Sequence, residues 1–259
     1  MATALIQGLV SNGVKAESIC ASDPSQEQLE KLHASCPIRI TTDNSMAVRD
    51  ADVVIMAVKP QVMEKVLVPL QGHITKDTLV LSIAAGVTLS NLANMCQDNQ
   101  AIVRCMPNTP ALVKIGASAL FANTHTSTAQ QALAESILSA VGKVCWLKKE
   151  EEMDAVTALS GSGPAYFFLM IEAMINSGKA LGLESNTAQE LAIQTALGAA
   201  TLAASSDVDV AELRRRVTSP GGTTEAALKQ FEADDFRDVV SRALNSAARR
   251  SKELSLPSE

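Results

Sequence analysis

The chain has 259 residues, of which 47% are hydrophobic, and a formal net charge of −6. This length allows one large domain or two small ones with a substantial core. The positive and negative charges are interspersed along the chain. The sequence therefore has no basic stripe, and a nucleic-acid partner is not expected. The N-terminus does not read as a signal peptide, and no apolar run reaches the ~18–20 residues of a membrane helix. We therefore expect a soluble, cytoplasmic protein without a membrane partner.

The cysteines and histidines do not predict a metal centre. The five cysteines are odd in number and widely spaced, without a CxxC or Cys/His pair: Cys20, Cys36, Cys96, Cys105 and Cys145. This pattern favours reduced core thiols. The three histidines lie in unrelated polar contexts, so chemistry that needs a catalytic histidine is not expected.

The first half of the chain alternates between helix and strand. Apolar spacing predicts a helix over residues 1–12, with Gly13 where a helix C-cap is expected. The predicted strands cover 19–22, 37–41, 51–58, 79–84, 101–105, 116–122 and 143–147, and further helices cover 24–35 and 128–141. Continuous apolar strands separated by helices indicate a parallel sheet covered on both faces, the doubly wound Rossmann-type α/β architecture.

Beyond about Lys148 every segment is predicted to be helical. The run Tyr166–Ile175 is too apolar for a helix with one face in water, so we expect it to be buried against another subunit. Ser160–Pro164 (SGSGP) is predicted to interrupt the helical pattern. Asn186 and Gln189 resemble a capping box for a helix over 187–204, and a last helix covers 236–254. We therefore predict two domains, 1–148 and 149–259, the second all-helical.

The stretch Val217–Leu228 (VTSPGGTTEAAL) has the composition of a turn that leads into a helix. Gly221 and Gly222 allow backbone N–H groups to approach a ligand closely. Thr223 and Thr224 are predicted to cap the helix, whose positive end favours a carboxylate or phosphate. The alternative is an ordinary Gly-rich turn with a polar cap.

Five blocks, in the same order, resemble the Δ1-pyrroline-5-carboxylate reductase family. They are AVKP (57–60), SIAAGV (82–87), RCMPNTPALV (104–113), DAVTALSGSGPAYF (154–167) and VTSPGGTTEAAL (217–228). The similarity extends from Met1 to about Leu256. It implies hydride transfer from NADPH or NADH to the imine carbon of L-1-pyrroline-5-carboxylate, giving L-proline in the last step of proline biosynthesis. It also implies a homo-oligomer, a dimer or an assembly of dimers, with a substrate site shared between subunits.

The same resemblance implies a set of substrate residues in the second domain. The residues expected to bind the substrate are Ser219, Gly222, Thr223 and Thr224. Thr224 is the predicted catalytic residue, with its hydroxyl on the ring nitrogen. Because threonine is a poor general acid, we expect Thr224 to orient and polarise the substrate imine. The proton is expected to be present already, on an iminium, or to be delivered through water.

The predicted cofactor residues follow the carboxyl ends of strands, where open α/β sheets bind their ligands. They are Asp23, Asn44, Ala57, Val58, Lys59, Pro60, Ala84, Ala85, Gly86 and Asn108. The resemblance implies that Asn44 contacts the adenosine. Asp23 lies where the ribose is expected, and a carboxylate there repels a 2′-phosphate, which favours NADH over NADPH. The alternative interpretation of Ala57–Pro60 and of Ala84–Gly86 is a plain turn between strand and helix. The alternative for Lys59 is a solvated charge without a ligand.

The chain departs from the family pattern at its beginning, where the opening strand and the GxGNM-like turn are missing. In a doubly wound sheet that strand is central, so its loss leaves unpaired backbone in the middle of the sheet. We expect an N-terminally shortened version of a longer functional chain. The alternatives are a catalytically weak or silent oligomeric homologue, and a reductase of another imine or β-hydroxy acid, which would lack the SPGGTT turn.

Overall fold

The computed structural model describes residues 1–255, so the last four residues of the predicted second domain lie outside the described part. The chain forms two compact units. The first comprises Met1–Ser162 together with the segment from Ala247 onward, and the second comprises Gly163–Ser246. The predicted division at 148/149 differs from this, because the segment after residue 148 packs on the first unit before the chain leaves it, and the last helix returns to it.

Seven strands lie in the described part of the first unit. They are β1 (Cys20–Ser22), β2 (Arg39–Thr41), β3 (Val53–Met56), β4 (Leu79–Ser82), β5 (Ile102–Met106), β6 (Gly116–Ala122) and β7 (Gly142–Trp146). β1 and β2 form a two-stranded parallel sheet, and β3 to β7 form a five-stranded sheet in sequence order. All seven predicted strands are confirmed, with ends shifted by a few residues at most.

The prediction of a wholly parallel sheet is wrong for one pair, because β6 runs antiparallel to β5. Parallel strands need a crossover connection of a dozen or more residues, usually a helix. Between Met106 and Gly116 the chain forms only a short 3₁₀ turn, Thr109–Val113. The chain therefore reverses direction.

The α-helices follow one another along the chain from the N-terminus to the end of the described part. They are α1 (Ala2–Ser11), α2 (Gln26–Ser35), α3 (Asn44–Val48), α4 (Met63–Leu67), α5 (Leu89–Met95), α6 (Thr128–Ser139), α7 (Glu152–Val156), α8 (Gly163–Ala180), α9 (Ser185–Ser205), α10 (Val210–Arg216), α11 (Thr223–Ala233) and α12 (Phe236–Leu254). The predicted capping box of α9 is wrong, since α9 begins at Ser185 and its N-cap Glu184 makes no side-chain hydrogen bond. The earlier start places Asn186 inside the first turn.

Helix α1 packs against both sheets. Leu5 lies in the core with Leu79 and Leu81 of β4, and Ile6 lies in a second cluster with Cys36 and Ile38. Within residues 1–255, β1 and β3 each have a hydrogen-bonded strand on one side only. The strands thus form two separate sheets, with a break between β1 and β3. This break lies where the sequence predicted unpaired backbone. N-terminal shortening of the chain stays a prediction.

Helices α7 and α8 join into one continuous helix, Glu152–Ala180, through a π-helical turn at Thr157–Gly161. The predicted interruption at SGSGP is wrong, because a π turn accommodates the extra residue without ending the helix. By length and composition this helix could cross a membrane, with a mean hydropathy of 1.3 over 18 residues and 11% of them buried. The sequence did not predict a helix of membrane length here, because only uninterrupted apolar residues were counted and Glu172 interrupts the apolar run.

One glycine fixes the β6–β7 pairing. Gly142 has φ +151°, and a Cβ at this position would overlap the backbone of Gly116, its partner in β6. We predict that Gly142→Ala lowers the free energy of unfolding by at least about 2 kcal/mol, because both the backbone angle and the space oppose a side chain. Thermal and urea denaturation measure this. Gly72→Ala, where nothing lies within 4 Å, is the control, and equal stabilities of the two variants would contradict the prediction.

Candidate active site

The parallel strands of the larger sheet end together at one edge. Met56 of β3 pairs with Ser82 of β4, and Ser82 pairs with Arg104 of β5. This register brings the turns that follow the three strands to the same edge. The predicted cofactor residues in those turns are Ala57, Val58, Lys59, Pro60, Ala84, Ala85, Gly86 and Asn108. Ala57, Lys59, Pro60 and Ala85 lie at exposed positions, while Ala84 is buried.

The two remaining cofactor candidates lie at the corresponding end of the β1–β2 sheet. Ser22 of β1 donates its hydroxyl proton to Asn44 Oδ1 at 2.7 Å, so the two strand ends are connected by side chains. Asp23 is exposed, and its Oδ1 accepts a hydrogen bond from the N–H of Ser25 at 2.8 Å. This bond uses one of the two carboxylate oxygens and leaves the negative charge in place, so the preference for NADH stays a prediction.

The turn after β4 is held in place by main-chain contacts. The N–H of Ile83 donates to the carbonyl of Met56 at 3.2 Å. Gly86 has φ +75°, and the carbonyl oxygen of Leu254 lies 3.2 Å from the position that a Cβ would take. A side chain at residue 86 would therefore be strained and crowded. The glycine of SIAAGV is required both by the turn and by the end of α12.

Asn108 makes contacts that its sequence context did not reveal. Its amide nitrogen donates to the carbonyl of Ser160 at 3.1 Å, and its Oδ1 accepts from the N–H of Ala117 at 2.8 Å. Pro164 lies four residues after Ser160 and has no N–H, so the usual helical donor for that carbonyl is missing. Asn108 supplies the donor in its place. Its role in cofactor binding stays a prediction beside this structural one.

The π turn also packs closely against the end of β5. A Cβ at Gly161 would overlap the terminal methyl of Met106. The glycine in SGSGP therefore allows this close approach, because it has no Cβ. The role of Met106 could not be found from the sequence, since a methionine in a strand carries no signal of such a contact.

In the second unit, the turn before α11 is stabilised by its own residues. The N–H of Gly222 donates to the carbonyl of Ser219 at 3.0 Å, and the N–H of Gly221, at φ +72°, donates to Glu225 Oε2 at 2.7 Å. This hydrogen bond, together with Lys229, lowers the pKa of the Glu225 carboxyl group. Glu225 was not predicted as a site residue, although a Glu in the first helical turn is a common signal of such a contact.

The predicted caps of α11 need correction. Gly222 is the N-cap, and Thr223 and Thr224 are the first two helical residues. Since the Gly222 N–H is already bonded, the donors without an acceptor in the described part of the chain are those of Thr223, Thr224 and Glu225. Both threonines are exposed. A small anion would thus be bound one residue later than the sequence predicted.

The cysteines are free, as predicted, but not all lie in the core. Burial raises the pKa of Cys105 to about 12 and that of Cys96 to about 11, which keeps both as thiols. Cys145 is exposed. The expectation of a core position is wrong there, because β7 is the edge strand of the sheet and Cys145 faces outward.

A mostly parallel α/β sheet with small-residue turns at the carboxyl edge, followed by a helical region, is typical of Rossmann-like NAD(P)-dependent oxidoreductases. Comparison with known proteins is consistent with this class. Residues 1–86 match the family model described as NADP oxidoreductase coenzyme F420-dependent, and residues 150–254 match that of pyrroline-5-carboxylate reductase dimerisation.

Individual relatives identify the family. The chain is 52% identical over 254 residues to a pyrroline-5-carboxylate reductase of Pseudomonas aeruginosa, covering 98% of this chain and 93% of the relative. A solved pyrroline-5-carboxylate reductase of Coxiella burnetii is 42% identical, with a TM-score of 0.94 and coverage of 99% and 95%. A Plasmodium falciparum pyrroline carboxylate reductase, solved with NADP bound, is 29% identical, with a TM-score of 0.87 and coverage of 98% and 94%. The chain belongs to the pyrroline-5-carboxylate reductase family, which confirms the resemblance.

The contact between Asn108 and Ser160 generates a double-mutant prediction. Asn108→Ala leaves the Ser160 carbonyl and the Ala117 N–H unpaired, so we expect a loss of about 1–3 kcal/mol in unfolding free energy. Pro164→Ala provides a new N–H for the Ser160 carbonyl, so the cost of Asn108→Ala should shrink in that background. Urea denaturation of the four proteins measures the coupling, with the exposed Asn94→Ala as control. An equal cost in both backgrounds would disprove the assigned contact.

Proposed function

We propose that this protein reduces L-1-pyrroline-5-carboxylate to L-proline with NADPH (EC 1.5.1.2), the last step of proline biosynthesis. The observation that carries the proposal is the 52% identity to a pyrroline-5-carboxylate reductase over 98% of the chain. The decisive experiment follows NADPH oxidation and proline formation together, with L-1-pyrroline-5-carboxylate as substrate. NADPH oxidation without proline would favour a reductase of another imine. Absence of both would favour the silent homologue.

The substrate carboxylate is assigned to the start of α11. The free N–H groups of Thr223 and Thr224 lie at the positive end of the helix, which favours an anion. Ser219 and Gly222 shape the turn that precedes them, and Glu225 fixes it through Gly221. The Thr224 hydroxyl orients the ring nitrogen, and the hydride comes from the nicotinamide, so the protein has only to position the reactants.

The dinucleotide is assigned to the carboxyl edge of the sheets. The turns at Ala57–Pro60 and Ala84–Gly86, with Asn108, line the edge of the larger sheet, and Asp23 and Asn44 lie at the end of β1–β2. NADP is bound in the solved Plasmodium falciparum relative. We assign NADPH as the main reductant, and parallel titration with NADH tests whether the Asp23 carboxylate shifts this preference.

The helical region is assigned to a homodimer interface, and the location to the cytoplasm. Residues 150–254 match a dimerisation model. Phe167, Phe168 and Leu169 are 68%, 66% and 67% exposed in the single chain, which leaves a large apolar surface uncovered. A second subunit covers this surface in the proposal, which accounts for the apolar helix Glu152–Ala180 without a lipid bilayer. Assembly of dimers into a larger oligomer is also implied by the family resemblance.

The role of Thr224 predicts a selective loss of turnover. Thr224→Ala removes the hydrogen bond to the reacting nitrogen, so kcat should fall about a hundredfold while the Kd for NADPH changes little. Steady-state kinetics and NADPH titration measure the two quantities. Thr201→Ala is the matched control, because the Thr201 hydroxyl donates to the Leu197 carbonyl of its own helix. Normal turnover with weakened NADPH binding would refute the role.

The proposed interface predicts a change in subunit association. Phe167→Glu with Phe168→Glu places two charges on the apolar surface, so the dimer dissociation constant should rise by at least about tenfold. Sedimentation velocity across a concentration series measures it. Lys76→Glu, an exposed charge change in the first unit, serves as control. A folded monomer for the unmodified protein at micromolar concentration would contradict the interface.

A further inference from the structure

Glu150 joins three segments around the turn after β4. It lies in the connection between β7 and α7, and its Oε1 accepts hydrogen bonds from Arg104 Nη1 and from the N–H of Leu89, the latter at 2.7 Å. The side chain of Arg104 is 8% exposed and that of Glu150 is 26% exposed. One carboxylate thus contacts strand β5 and the first residue of α5 simultaneously.

Both partners of Glu150 would be left unsatisfied without it. A buried guanidinium needs a counter-charge, because its removal from water is costly when it is unpaired. The Leu89 N–H is one of the first four N–H groups of α5 and has no partner within the helix. The N-cap Thr88 accepts from Asn91 instead. Glu150 therefore provides the acceptor for Leu89 and a negative charge at the positive end of α5.

These contacts define the far end of a predicted cofactor turn. The turn Ala84–Gly86 lies between Ile83, bonded to the Met56 carbonyl, and Leu89, bonded to Glu150. Its near end is thus fixed to the sheet by main-chain pairing. Its far end packs through the buried side chains of Val87 and Leu89, and the first N–H of α5 is held there by one side chain from a distant part of the sequence. A shift of α5 on losing that contact would move the turn.

We propose that Glu150 is a positioning residue for NADPH: it holds the Ala84–Gly86 turn in its binding conformation through the N–H of Leu89. Arg104 holds the Glu150 carboxylate in place for this contact. The inference rests on the proposed function, in particular on the assignment of this turn to the dinucleotide. Glu150 itself is not assigned a contact with cofactor or substrate.

Two double variants separate the positioning contact from the ion pair. R104M/E150Q removes both charges but keeps an oxygen acceptor for Leu89, and R104M/E150M removes the acceptor as well. Since neither leaves a buried charge unpaired, both should fold, and R104M/E150M should have the lower Tm because its Leu89 N–H loses the acceptor. The Kd and KM for NADPH should rise about tenfold only in R104M/E150M, with kcat at saturating NADPH within about twofold.

A second pair leaves Arg104 and Glu150 intact. Leu89→Pro and Leu89→Ala both remove the leucine side chain, but only proline removes the N–H, and proline is well tolerated at the first position of a helix. NADPH should bind about tenfold more weakly to L89P than to L89A. This comparison decides the matter if a double variant folds poorly, and equal affinities would overturn the inference. Glu151→Gln, at the adjacent exposed carboxylate, controls for the removal of a negative charge near this site and should bind NADPH normally.

Amide hydrogen exchange tests the contact between Glu150 and Leu89 without any measurement of activity. Exchange at Leu89 should be slow in the unmodified protein and in R104M/E150Q, and fast in R104M/E150M. Equal exchange and equal NADPH affinity in the two double variants would overturn the inference. If exchange differs as expected but the unmodified protein does not bind NADPH, the assignment of the turn to the dinucleotide fails, and the positioning role fails with it, while the contact between Glu150 and Leu89 stands.

Discussion

The parallel pairing of β3, β4 and β5 is the constraint on which the rest of the first unit depends. Leu79, Val80 and Leu81 of β4 are fully buried, so both faces of this strand are covered and its register is fixed by packing. Because the three strands end together, three separate turns meet at one edge. Residues from the C-terminal half of the chain, Glu150 and Leu254, then contact the segment around the middle turn.

The helix that leaves the first unit is irregular where it touches the sheet. Pro164 removes the usual helical donor of the Ser160 carbonyl, and Asn108 from the loop after β5 provides one. π turns occur often at functional sites. Here the irregularity joins the SGSGP block to the MPN block, two segments that are 52 residues apart in the sequence at this contact. Their joint presence in the family signature therefore has a physical basis.

At the start of α11, too, a side chain hydrogen-bonds to the main chain of an irregular segment, here between residues that are close in sequence. Glu225 binds the N–H of Gly221, so the flexible glycine turn is fixed before any ligand arrives. Preorganisation of this kind lowers the entropic cost of binding. The N–H groups that stay free belong to the helix itself, whose geometry does not change. Thus the proposed anion site combines a rigid donor set with a turn that needs two glycines to be formed.

Periodicity and turn residues in the sequence were sufficient for the strands, most helices and the α/β class. The five motif blocks were sufficient for the family, whereas the roles of the candidate site residues stay predictions. Local patterns were not sufficient for the direction of β6, which depends on the missing crossover helix, or for the continuity of α7 with α8 through a π turn. Nor could they identify Glu150, whose partners Arg104 and Leu89 are remote in sequence. Hydrophobic periodicity is a local property, whereas a carboxylate acquires its role only when the tertiary structure brings a buried cation and a free helix N–H to the same oxygen.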